Sequence, residues 1–156
     1  MPRAAPHLDE TDRKILRRLQ ENGAIQNQVL AEEVGLSPSP CHRRVKALEE
    51  AGIIERYVAL VDGAAVGTSF LAFVEVRLER QAKAVAERFE RAVIACPEVL
   101  ECHFVTGEYD YVLKVAVRDL DEFHRFITEK ITTIDGVANT RSVIPVKRIK
   151  STTAVK

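Results

Sequence analysis

A chain of 156 residues, 46% hydrophobic and 29% charged, can bury a core and fits one domain or two small ones; wholesale disorder is excluded. Lys+Arg and Asp+Glu both number 23, so any field that attracts nucleic acid must be local. No apolar run is long enough to span a membrane, and the opening residues lack the apolar centre of a signal peptide. Cys41, Cys96 and Cys102 form no CxxC pair, which predicts free thiols in a reducing cytoplasm. Cys41-His42 and Cys102-His103 match no metal-ligand spacing, so no metal is expected.

After a lead-in over residues 1–7, Asp9 is a suitable N-cap, with Asp12 placing a second carboxylate at the positive end of the helix dipole. Ile15, Leu16 and Leu19 then form an apolar stripe, which Asn22 and Gly23 terminate. A second, short helix is predicted from about Gln26, with Val29, Leu30, Ala31 and Val34 inward and Gly35 supplying a turn. The third helix opens on Ser37 as N-cap with Pro38 and Pro40 in its first turn, where few backbone N–H groups have intrahelical partners to lose. Cys41, Val45 and Leu48 share its inner face. Ser39, Arg43 and Lys46 point outward, and His42 and Arg44 lie on the flanks. Helix, short helix, Gly turn and a hydroxyl-capped basic helix make a helix-turn-helix. Small hydroxyls permit close approach to a DNA major groove, and arginine reaches guanine edges or phosphates. The DNA-contacting set is therefore predicted as Ser37, Ser39, Pro40, His42, Arg43, Arg44 and Lys46. The competing reading is a three-helix scaffold with an ordinary charged surface. The β-rich run over residues 53–61 is predicted to form a wing or a linker strand.

Asp62 to Gly67, two glycines around small residues, marks a boundary between residues 1–61 and 62–156. Beyond it the period becomes two: Ala72, Val74, Val76 and Leu78 on one side, Phe73, Glu75 and Arg77 on the other. A helix carrying Val85, Phe89, Ala92, Val93 and Cys96 ends at Pro97. A strand is predicted over residues 99–105, a turn at Gly107 to Asp110, and a strand over residues 111–117. A second helix from about Leu120 points Phe123, Phe126, Ile127, Ile131 and Ile134 inward, and a last strand covers residues 137–146. This βαββαβ order is the ferredoxin-like split unit. Its helices cover one sheet face. The other carries Leu71, Phe73, Val112 and Ala116, which predicts a partner there, most simply the same face of a second subunit; the alternative is a monomer with scattered surface apolars.

Three stretches resemble the Lrp/AsnC, or feast/famine, transcription regulators: Leu8 and Asp9 followed by DRKIL at 12–16; VGLSPSPC at 34–41 with Arg43, Arg44, Val45, Leu48 and Glu49; and VTGEYDYVLKV at 105–115. The likeness runs over nearly the whole chain. It implies an α+β protein with an N-terminal winged helix-turn-helix and a C-terminal ferredoxin-like sensor. It further implies double-stranded DNA as partner, a homodimer assembling further into an octamer of four dimers, and an amino-acid effector bound between subunits. The family's apolar residue after the cysteine is here His42, and its usual basic residue after Gly23 is Ala24, so an operator preference is not carried over.

An amino acid needs donors for its carboxylate and an acceptor for its ammonium. Backbone N–H groups of a Gly-bearing turn supply the first, and a carboxylate such as Asp110 the second. The resemblance makes Thr106, Gly107, Tyr109, Asp110 and Tyr111 the effector site, with Thr140 and Ser142 of a neighbouring subunit closing it. On the residues alone, Gly-Glu-Tyr-Asp is more simply a hairpin turn. No nucleophile triad, Walker loop, HExxH or GxGxxG occurs, and the four histidines are scattered, so no enzyme and no cofactor are expected. The alternative function is a metabolite-binding regulatory module that acts without DNA.

Overall fold

The computed structural model describes residues 8–80 and 82–155. They fall into two compact units, residues 8–60 with 150–155 and residues 61–149 apart from 81.

The first unit begins with α1 (Glu10–Glu21), opened by a reciprocal capping box in which Asp9 accepts from the Asp12 N–H and Asp12 accepts from the Asp9 N–H. Next come α2 (Asn27–Val34) and α3 (Pro38–Glu50). Gly35 sits at φ +75°, a left-handed conformation that stops α2 and turns the chain into α3. Ile15, Leu30, Ala31, Cys41 and Leu48 make the core. Ala31 is fully buried, the small side chain that close helix approach requires. Ser37 is the N-cap residue of α3, but its side chain makes no capping bond. The Asn27 amide instead donates to the Pro38 carbonyl (2.9 Å) and ties α2 to the start of α3. Residues 53–61, predicted as a wing or a linker strand, run without strand pairing within this chain. Tyr57 there donates to Glu49 (2.9 Å), and burial first, then that bond, push its phenol up to about 12. The Gln20 side-chain amide exchanges two hydrogen bonds with the Val155 main chain.

The second unit is a four-stranded antiparallel sheet of order β2-β3-β1-β4, built from β1 (Phe70–Leu78), β2 (Val99–Phe104), β3 (Tyr111–Val117) and β4 (Val137–Val143). From Leu71 onward β1 alternates less buried residues with buried Ala72, Val74, Val76 and Leu78, and β3 alternates buried and half-buried residues throughout. Their buried set, Ala72, Val74, Val76, Leu113, Val115 and Val117, packs on α4 (Lys83–Ile94) through Val85, Phe89 and Val93. The second covering helix is shorter than its apolar pattern predicts: α5 (Leu120–Arg125) passes into a π-helical turn over Phe126–Ile131. Five residues of an α-helix advance about 500°, which would rotate Ile131 away from the face of Phe126. Bonding at i+5 keeps both buried against the sheet.

Candidate DNA interface and effector site

The outer side of α3 displays Ser37, Ser39, His42, Arg43 and Lys46 to solvent, with Pro40 half-buried. Lys46 lies 3.7 Å from Glu50 in a highly exposed i,i+4 pair, which an incoming phosphate displaces at little cost. Arg43 has no ion-pair partner among the described residues. Pro38 and Pro40 lack N–H groups and the Cys41 N–H is bonded to the Ser37 carbonyl, so in the first turn only the Ser39 N–H is left for a phosphate.

Arg44 does not belong with this set. Its Nη1 donates to both Asp9 (2.7 Å) and Asp12 (2.8 Å), bridging α3 to the capping box of α1. The Asp12 N–H first, and Arg44 second, hold the Asp9 carboxyl below its ordinary value. The signal was in the spacing: Arg44 follows Cys41 by three and precedes Leu48 by four, so it borders the buried stripe.

In the second unit the turn between β2 and β3 is pinned by its main chain: the Val105 N–H donates to the Asp110 carbonyl (2.9 Å) and the Asp110 N–H to the Val76 carbonyl (2.9 Å). Gly107 adopts φ +126° with open space around its α-carbon, so the conformation rather than crowding requires glycine. Beside this turn lies a recess of about 310 Å³ lined by Val105, Thr106, Glu108, Tyr109, Val112, Glu75 and Arg141. Its size is in the range of small-ligand sites. Arg141 donates to Glu75 and stands over the Tyr109 ring, 5.2 Å from its centroid.

The structure thus brings Thr106 and Tyr109 to one recess at the Gly107 turn and places the remaining predicted residues elsewhere. Asp110 is buried, and its carboxylate accepts the Leu78 N–H (2.8 Å). Tyr111 is buried on the helix side, donating to Glu90 (2.7 Å); burial first, and that bond next, raise its phenol well above the ordinary value. Thr140 and Ser142 pair with Val76 and Val74, so they share the helix-covered face of the sheet, away from the recess of their own chain. The residue between them, Arg141, pairs with Glu75 and faces the recess. Glu75 and Arg141 were missed by sequence reading. Their signal was the alternation itself, since Glu75 shares the outer face with Phe73. Among the described residues, no group of three His, Cys, Asp or Glu side chains could hold a metal ion.

The Lrp/AsnC ligand binding domain profile matches residues 71–155, and a winged helix-turn-helix DNA-binding profile matches residues 8–55. The leucine-responsive regulatory protein of Escherichia coli K12 is 40% identical over 148 residues, covering 95% of this chain and 90% of its own. The chain belongs to the Lrp/AsnC family. It is a DNA-binding transcription regulator with the winged helix-turn-helix and α+β ligand-binding architecture of that family, and not an enzyme. Among solved Lrp/AsnC-like structures, a Neisseria meningitidis transcriptional regulator in complex with L-Met superposes with a TM-score of 0.93 at 43% identity, covering 96% of this chain and 97% of that one. An AsnC family regulator from Agrobacterium tumefaciens gives a TM-score of 0.90 at 38% identity, covering 96% and 97%. No helix of the described residues is long and apolar enough to cross a membrane.

Proposed function

We propose that this regulator senses a free amino acid with an apolar side chain in the recess beside the 105–110 turn, and that the ligand alters its DNA binding or assembly. The recess itself carries the reading: it combines a Gly-bearing turn, the Thr106 hydroxyl, paired charges and the apolar surfaces of Val105, Val112 and Tyr109. The leucine named for the E. coli relative and the L-Met of the Neisseria complex support that ligand class. Gly107 shapes the turn, Thr106 and Tyr109 touch the ligand, and Asp110 and Tyr111 anchor the turn from the buried side. Thr140 and Ser142 lie on the edge strand β4 and help close the site of a neighbouring subunit.

In this proposal residues 1–61 bind double-stranded DNA through Ser37, Ser39, Pro40, His42, Arg43 and Lys46, with Arg44 holding α3 in place, and residues 62–156 sense and oligomerise. The protein works in the cytoplasm as a homodimer joined through the outer sheet face, assembling further into an octamer of four dimers, and needs no metal. A melting-temperature screen of the twenty amino acids tests the ligand, because a compound that binds only the native state raises that temperature. DNA titrations with and without the best compound test the coupling. Unchanged DNA affinity and unchanged particle mass would contradict it.

A further inference from the structure

The wall of the recess is a complete pair of opposite charges. Glu75 of β1 and Arg141 of β4 stand directly across the ladder from each other, and the Arg141 Nε donates to a Glu75 carboxylate oxygen. The Glu75 side chain is 21% exposed and that of Arg141 59%. Tyr109 lies under the guanidinium, and Glu108 adds a second carboxylate to the rim. Val105 and Val112 supply the apolar part.

We infer that Glu75 and Arg141 form a clamp for both charged ends of the ligand: Arg141 takes the α-carboxylate and Glu75 the α-ammonium, the two side chains exchanging their bond to each other for bonds to the amino acid. This rests on the recess being the effector site. The physical reason is that neither state leaves a charge unpaired. Empty, the two groups neutralise each other. Occupied, each meets the opposite end of a zwitterion. A lone Glu75, only 21% exposed, would carry a desolvation cost whenever the site was empty. The planar fork of arginine fits a carboxylate with two parallel bonds, which a lysine cannot reproduce. Because Arg141 also lies on Tyr109, a carboxylate that draws the guanidinium acts directly on the ring that belongs to the turn.

The clamp fixes the ligand class more narrowly than the recess alone. Both free ends of one α-amino acid are required, so amides and 2-hydroxy acids are rejected. The surplus carboxylate of Glu108 disfavours acidic side chains, and Val105, Val112 and the Tyr109 ring favour apolar ones.

The full-length protein is titrated with the twenty amino acids. L-methionine, L-methioninamide and 2-hydroxy-4-(methylthio)butanoate serve as matched probes, read by calorimetry and melting shift. Wild type is expected to bind the amino acid and neither analogue. Glu75→Gln and Arg141→Gln are each expected to bind roughly tenfold to hundredfold more weakly, the loss of a charge-assisted bond. The exchanged pair Glu75→Arg with Arg141→Glu keeps an ion pair; its unliganded melting temperature should stay near wild type while binding is lost, which a purely structural role does not produce. Should Arg141→Gln loosen the sheet, Arg141→Lys, which keeps the charge but not the fork, carries the test with the same direction. If the Glu75 and Arg141 variants bind as wild type does while Tyr109→Ala does not, the clamp is wrong and the recess stands. If no amino acid binds wild type, or Tyr109→Ala and every clamp variant bind normally, the effector-site reading fails as well.

Discussion

Arg44 and Asp110 are both charged residues in functional-looking positions, and both are spent inside the fold. Arg44 gathers two carboxylates that would otherwise repel each other at the start of α1. Replacing it with Ala should therefore lower the melting temperature of the DNA-binding unit by a few degrees, a loss that Arg43→Ala does not share. Its pH dependence follows from Asp9. A carboxyl whose folded pKa is depressed contributes stability above its unfolded pKa and loses that contribution as pH falls through the folded value. The ordinary value is 3.8, so the loss begins near it and continues below. Melting curves across that window should fall more gently in Arg44→Gln than in wild type, and identical slopes would detach Arg44 from the titration. Asp110→Ala removes the acceptor of the buried Leu78 N–H and should cost the sensor unit about 2 kcal/mol by denaturant unfolding. A variant as stable as wild type would return Asp110 to the list of ligand contacts. Neither role was fully legible in the sequence. Arg44 could have been found from its place beside the Cys41–Leu48 stripe. Asp110 could not, because a carboxylate in a Gly-bearing turn reads the same whether it faces solvent or a neighbouring strand's N–H.

At the scale of elements, alternation and caps carried most of what was readable. The period-two burial of β1 puts the predicted set Ala72, Val74, Val76 and Leu78 inward, and α4 buries Val85, Phe89 and Val93 as its apolar spacing predicts. The capping box at Asp9 and the left-handed Gly35 are local chemistry, decided within a few residues. What sequence missed depends on long-range register. The β1–β4 ladder shifts between Arg77 and Leu78, and the parity of β4 decides whether Arg141 or its neighbours face the recess. Nothing inside residues 137–143 sets that parity, because only the partner strand does. The π-turn after α5 arises in the same way, from the sheet the segment packs on. For α3 the consequence is that one side anchors the helix through Arg44, leaving the other side, with Arg43 and Lys46, as the proposed DNA contact. Arg43→Ala together with Lys46→Ala should weaken operator binding, by about 1–3 kcal/mol for a lost arginine–base contact, and make the salt slope shallower by roughly one unit per phosphate contact removed. Fluorescence-anisotropy titrations at several salt concentrations measure both. Unchanged affinity with an unchanged slope would remove α3 from the interface and favour a sensor that acts without DNA.

At the scale of the whole molecule, the outer sheet face is two regions in one. Towards one end, Leu71 pairs with Ala116, and Phe73 has Val143 beside it. Towards the other lies the Glu75–Arg141 pair, while the Lys114–Glu101 pair (2.6 Å) stands level with Phe73. Helices cover the opposite side only, so a second copy meeting this face would bury the apolar region. Phe73→Asp places a carboxylate in that contact, but Phe73 lies across from Lys114, whose ammonium can partly compensate. Leu71→Asp is the sharper test, because its cross-strand neighbour Ala116 offers no charge. A carboxylate buried between two sheets without a partner carries a severe desolvation penalty. Light scattering should therefore show Leu71→Asp as a monomer or as insoluble material, with Phe73→Asp less severely affected. The consequence for DNA follows from symmetry: a dimer presents two α3 helices to half-sites about 10 base pairs apart, centre to centre, or a multiple of that spacing, and a monomer cannot. Footprints of wild type should show helical-turn periodicity, and Leu71→Asp should lose it along with most of its affinity. A soluble Leu71→Asp variant of wild-type mass with an unchanged footprint would place the subunit contact somewhere other than this face.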